Sequence, residues 1–173
     1  LPDIGAAGGP RRALFDFSWL PEGVQGYLWD FPTPAGADGQ TMRTWGVYDS
    51  RVYRNGRRGS LKETLDEGLA RHRGEPADYT LEGHPLRWLH PRAALSTAHV
   101  ILVGDAAGTD SVVGEGISFA LGYGEVAARA IQAAYARDDF RFKDYRRRVL
   151  RHRTGRYLRR RALAARLLYG IRN

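Results

Sequence analysis

Apolar and polar positions along the chain change period several times, and each change marks a predicted element. Leu14, Phe15, Phe17 and Trp19 lie in a stretch, Ala13 to Trp19, that reads as a strand, and Pro21-Glu22-Gly23 as a turn. Gly26 to Pro32 then alternates at period two, with Tyr27, Trp29 and Phe31 on one face and Leu28 and Asp30 on the other. A helix cannot align three aromatics in that way, so this is a strand. Thr33 to Gln40 is a Pro/Gly loop, and a further strand runs through Arg43 to Asp49. Ser60-Leu61-Lys62-Glu63 forms a capping box, after which Leu61, Leu65 and Leu69 recur at i, i+4 and predict a helix to about His72. Gly74 to Ala77 breaks it. Tyr79 to Leu89 reads as a last strand of the same sheet, with Pro85 at an edge or bulge.

The period changes again in the second half. Val100 to Val103 is an unbroken apolar run too short for a helix, which suits a strand buried on both faces, as in a parallel sheet. Glu115 to Arg137 reads as a helix that packs on a sheet through Phe119, Val126, Ile131 and Tyr135. Residues 141–173 hold thirteen Arg/Lys and a single acid, Asp144, with apolar residues at roughly helical spacing. That pattern fits a helix packing one face on its own domain, its Arg stems covering apolar surface. It also fits a basic amphipathic helix resting on anionic lipid.

Composition narrows the class. A chain of 173 residues is long enough for a sizeable core, or for pieces of two domains. The absence of cysteine removes disulfides and thiolate metal sites and is compatible with a reducing compartment. The five histidines show no metal-ligand spacing, and no metal site is expected. No apolar run approaches a membrane span. The net charge of +8 comes from 25 Arg and only two Lys, without a nucleic-acid-binding motif, so nucleic acid is not the expected partner. Arg51, Arg54, Arg57 and Arg58 cluster before the first helix without a Gly-rich cradle, and a solvated loop is the favoured reading.

The chemistry is concentrated after Val103. Gly104-Asp105-Ala106-Ala107-Gly108 follows the apolar run, a polar loop follows that, and Gly114-Glu115-Gly116-Ile117 opens the next helix. Ligands of open α/β sheets sit off the carboxyl ends of strands, where a helix N-terminus directs bare N–H groups at them. Asp105 offers an acceptor at the strand tip for a sugar or ribityl hydroxyl. Ala106, Ala107 and Gly108 keep the turn small, and Gly114 and Gly116 clear the helix mouth for an anionic oxygen. The competing view is a plain strand-to-helix turn with Asp105 as a local cap. Gly116-Ile117-Ser118-Phe119-Ala120 approximates a nucleophile elbow, but Ser118 belongs inside the helix rather than on the turn, which excludes a serine hydrolase.

The run Val103 to Gly108 with Gly114-Glu115-Gly116-Ile117 resembles the second FAD-binding motif of geranylgeranyl reductase-like flavoproteins, within the wider aromatic-hydroxylase and halogenase superfamily. Many of those proteins carry Pro where this chain has Ser111. Tyr27-x-Trp29-x-Phe31-Pro32 is similar to the motif that lines their lipid-substrate cavity. The resemblance implies FAD contacts at Gly104, Asp105, Ala106, Gly114, Glu115, Gly116 and Ile117, and substrate contacts at Tyr27, Trp29, Phe31 and Pro32. It implies NAD(P)H as electron donor and an apolar, isoprenoid-type substrate whose double bonds are reduced. No catalytic residue is identified. An FAD-dependent monooxygenase is the alternative enzyme, and an inactive lipid- or anion-binding remnant the alternative of another class.

The fold class expected is α+β to α/β. A mixed or antiparallel substrate-domain sheet occupies 1–98, the last parallel strand, turn and helix of an FAD domain 99–140, and a basic helical segment 141–173. The chain has no Gly-x-Gly-x-x-Gly and is expected to be the C-terminal part of a longer two-domain oxidoreductase, inactive alone. The expected location is cytoplasmic, with peripheral contact at the inner face of the membrane through 141–173.

Overall fold

The computed structural model describes residues 1–2, 12–34, 39–54, 58–74 and 78–170. The chain divides into two compact units, Leu1–Gly83 and His84–Gly170. Both are mixed α+β, with a small antiparallel sheet in each and five helices in all among the described residues.

In the first unit, β1 (Leu14–Asp16), β2 (Gly26–Thr33) and β3 (Met42–Asp49) form an antiparallel sheet in the order β1-β2-β3. The register pairs Phe15 with Trp29 and Tyr27 with Tyr48, so the aromatics expected on one face do share it. The opposite face carries Leu14, Leu28 and Val47, and α1 (Leu61–Arg73) packs on it through Leu65 and Leu69, with Trp19 and Val24 closing the core. Half of the capping box forms: Ser60 Oγ accepts from the Glu63 N–H at 3.3 Å, and Gly74 ends the helix in the left-handed conformation, but the Glu63 carboxylate does not reach back to the Ser60 N–H.

The same core-side face of the sheet buries an ion pair. Arg43 Nε donates to Asp30 Oδ1 at 2.6 Å, and Arg43 Nη2 donates to the Arg12 carbonyl at 2.6 Å. Both side chains are almost fully enclosed. Polar alternation in β2 thus places a charge inside rather than outside, and that charge is tolerated only because it is paired.

Residues 78–87 form no strand. The stretch predicted as a further strand from Tyr79 contributes a single parallel bridge, Trp88 to Thr109. Gly83 and Pro85 account for this, one by its conformational freedom and the other by its missing N–H. Tyr79 instead donates its hydroxyl to Asp66 of α1 at 2.6 Å.

The second unit departs further from its expected layout. The Val100–Val103 run forms only β5 (Val100–Ile101), paired antiparallel with β4 (Ser96–Thr97). No described strand lies parallel beside it, so Val100 and Val103 stay largely exposed rather than buried on two faces. The core is helical: α3 (Ile117–Arg137), preceded by the single turn α2 (Gly104–Ala107), packs Tyr123, Val126, Ala127 and Ala130 against Tyr145, Val149 and Leu158. Ile131 and Tyr135, expected on the packed face, lie on the outer one. The small residues Ala127, Ala130 and Ala134 set the contact face, because they let the neighbouring backbone approach. The predicted basic segment is two helices, α4 (Tyr145–Arg151) and α5 (Arg153–Gly170), parted at His152, whose backbone is extended. A Cβ at Gly155 would collide with the Val149 carbonyl, so glycine allows the sharp turn.

Asp30→Ala strands the Arg43 guanidinium in an apolar core and should cost about 3–5 kcal/mol in urea unfolding. Combining it with Arg43→Met should recover much of that loss. A double variant no more stable than Asp30→Ala would show that the pair is not the cause.

Candidate functional site

Four glycines build the turn from Gly104 to Gly116, and two reasons select them. Gly104, Gly108 and Gly114 have φ of 53°, 125° and 68°, a region that side chains disfavour. Gly108 has a steric constraint as well: a Cβ there would run into the Leu89 backbone, where Trp88 and Thr109 bridge. At Gly116 the reason is steric alone, because a Cβ would sit 2.7 Å from Asp105 Oδ1. Glycine at 116 therefore lets the Asp105 carboxylate lie over the mouth of α3.

Asp105 is exposed in the first turn of α2 and has no hydrogen-bond or ion-pair partner among the described residues. It is not a local cap. Ala106 beside it is also exposed, and Ile117, at the start of α3, is 82% exposed. The turn thus gathers Gly104, Asp105, Ala106, Gly114, Glu115, Gly116 and Ile117 around one helix N-terminus.

The mouth is not bare, however. Glu115 Oε1 accepts from the Ser118 N–H at 2.8 Å, and Oε2 accepts from the Ser118 hydroxyl at 2.6 Å. A carboxylate caps the positive end of the helix dipole, which corrects the expectation of unclaimed donors. The Gly116 and Ile117 N–H groups remain without an acceptor among the described residues. Glu115 therefore sets the electrostatics here: a neutral hydrogen-bonding ligand is favoured over a strongly anionic one.

The loop behind the turn is held from several sides. Asp110 is fully buried; Arg161 of α5 grips it bidentately at 2.9 and 2.6 Å, and it accepts from the Val112 and Val113 N–H groups at 3.0 Å each. Burial pushes its pKa up, but Arg161 and the two backbone donors outweigh that and hold it below the usual carboxylate range. Three tyrosine hydroxyls complete the frame, donating to backbone carbonyls: Tyr123 to Gly108, Tyr145 to Leu102 and Tyr169 to Val112. Burial raises the pKa of Tyr123 and takes Tyr145 to about 12, so both keep the donating proton at neutral pH. Ser111 is buried, and its Oγ lacks a partner among the described residues.

These framing residues were missed in the sequence. Asp110 carried a weak signal, since an Asp two and three residues before exposed N–H groups is an Asx turn. Arg161 carried none that separates it from its many Arg neighbours. Of the basic cluster before α1, Arg51 is paired with Asp49 and Arg58 donates to the Arg54 carbonyl, while Arg57 lies outside the described residues.

In the first unit the aromatic face stands apart from the core packed on α1. Trp29 stacks on Phe31 with centroids 4.9 Å apart, Phe15 contacts both Tyr27 and Phe31, and Tyr48 closes on Tyr27 at 5.7 Å. Trp29 lies directly over its register partner Gly46, where a Cβ would overlap the indole. Tyr27 and Tyr48 are buried among these rings, whereas Phe15 is 49% exposed and Pro32 is exposed. Two clefts of about 260 and 590 Å3 are lined by residues from 130 to 147 and by His99 with 137–141; neither includes the glycine turn or the rings.

No protein-family model matches the chain, and neither a curated protein nor a solved structure does. The geometry alone bears on function. No helix among the described residues is long and apolar enough to cross a membrane.

Asp110→Asn should lose about 1–3 kcal/mol at neutral pH, as for a lost charged hydrogen bond. Because the folded carboxyl titrates below its unfolded value of about 3.9, its stabilisation is present above that pH and fades as pH falls through the folded pKa. The gap between wild type and variant should therefore narrow progressively as pH falls below about 4. A gap independent of pH, measured by urea unfolding, would contradict this.

Proposed function

We propose that the glycine turn binds the ribityl chain of FAD, and that the protein is an FAD-dependent oxidoreductase acting on an apolar, isoprenoid-type substrate with NAD(P)H as donor. One observation carries the reading: Asp105 is an unpartnered carboxylate laid over a helix mouth that only glycine at 116 leaves open. A carboxylate accepts from hydroxyls, and ribityl is a chain of hydroxyls. The residues fit that part of the cofactor. Gly104 and Ala106 keep the approach to Asp105 low, and the Gly116 and Ile117 N–H groups are donors for a ring carbonyl. Glu115 fits a neutral carbonyl better than a charged oxygen.

When bound, FAD would supply hydride chemistry at its ring. The residues of this chain would orient the cofactor and hold it by hydrogen bonds; none is assigned a proton-transfer role. The adenine and pyrophosphate need a second site, and an upstream Gly-x-Gly-x-x-Gly would provide it. The aromatic face of the first unit offers an apolar wall at Trp29, Phe31 and Phe15, backed by the buried Tyr27, which suits a hydrocarbon substrate; Pro32, whose register partner is Arg43, lies on the opposite face and is not part of it.

The protein isolated at its natural length should carry FAD, and the 173-residue chain alone should not retain it. Asp105→Ala should weaken FAD by about 1–3 kcal/mol in fluorescence titration without lowering the melting temperature, since the carboxylate supports no fold contact. Flavin-free natural-length protein, or unchanged affinity in the variant, would refute the proposal.

Trp29→Ala tests the substrate wall. It should raise KM or lower turnover for a polyprenyl substrate with FAD still bound. A loss of about 3–5 kcal/mol in stability with normal kinetics per bound flavin would make the rings ordinary core.

A further inference from the structure

The helices α4 and α5 contain no acidic residue between Tyr145 and Gly170. Several of their arginines are committed to the fold: Arg148 pairs with Asp144, Arg153 with Glu125 and Arg161 with Asp110. Arg156, Arg159 and Arg160 are exposed and have no carboxylate partner among the described residues. The buried face of α5 is Thr154, Gly155, Leu158, Ala165 and Tyr169. Opposite that face, at i, i+4, i+7 and i+11, lie Arg156, Arg160, Leu163 and Leu167. The two leucines are 61% and 64% exposed, and Leu168 is also exposed.

This outer face is therefore a single stripe, cationic along its N-terminal half at Arg156 and Arg160 and apolar along its C-terminal half at Leu163 and Leu167. Nucleic acid would neutralise the arginines but leave the leucines in water. A bilayer with anionic headgroups satisfies both, because the leucines enter the acyl boundary while arginine stems lie along it with their guanidinium groups at the phosphates. We infer that the outer face of α5 is a docking surface for anionic lipid, lying in the plane of the membrane rather than crossing it. The inference stands independently of the FAD reading.

The test is flotation of the 173-residue protein with vesicles of equal parts phosphatidylcholine and phosphatidylglycerol, against vesicles of phosphatidylcholine alone. The protein should float with the first and not the second, and salt at about 0.5 M should release most of it. Leu163→Glu with Leu167→Glu, and separately Arg156→Glu with Arg160→Glu, should each weaken partitioning at least about tenfold. All four side chains are exposed, so thermal melts should not move. The chain has no cysteine, so Leu163→Cys takes a single environment-sensitive dye, which should shift to the blue on the anionic vesicles. Absence of flotation, or flotation undiminished by the leucine changes, would overturn the inference. So would duplex-DNA binding that survives the leucine changes in a protein that ignores both vesicles.

Discussion

A carboxylate with no exposed surface must be fully satisfied or it unfolds what surrounds it, and Asp110 is such a group. Its oxygens are shared between the Arg161 guanidinium and two backbone N–H groups of its own loop. This single side chain ties the loop within the glycine turn to α5, more than fifty residues later in sequence. The tyrosine hydroxyls at Gly108, Leu102 and Val112 extend the same logic to carbonyls that no strand partner reaches. The turn keeps its shape because polar groups behind it are paired, not because a large sheet supports it.

That arrangement separates the framing residues from the exposed ones. Asp110, Arg161 and the tyrosines face inward and serve the fold. Asp105, Ala106 and Ile117 face outward and make no structural contact that would require them. Residues fixed by glycine geometry yet unused by the fold are where ligand chemistry is expected. Glu115 lies between the two groups, closing one donor of the helix mouth and leaving others open.

Much of the fold was legible wherever local rules govern it. Period-two aromatics placed β2 and its face, and the Ser60 cap with Gly74 placed α1 nearly to the residue. The turn was legible as a glycine-rich turn, but not the reason for each position: Ala107 and Gly108, expected to leave room for a ligand, are buried, and Gly108 is required by the Leu89 backbone, which no local rule reveals. Legibility failed where the outcome depends on neighbours. Val100 to Val103 reads as a buried strand only if other strands flank it, and with one short partner it does not become one. The outer placement of Ile131 and Tyr135 has the same cause, since a helix with apolar residues all round does not declare which face it buries. Nothing in the spacing of the C-terminal arginines distinguishes Arg161, which is inside, from Arg160, which is outside.

The indole of Trp29 in β2 rests on Gly46 of the neighbouring strand β3 as on a shelf. The shape of the aromatic face is thus adjustable from beneath. A methyl group at position 46 would lift the indole and alter its stack with Phe31 while every ring residue stayed unchanged. The two positions are therefore coupled: a larger residue at 46 requires the side chain at 29 to shift or shrink.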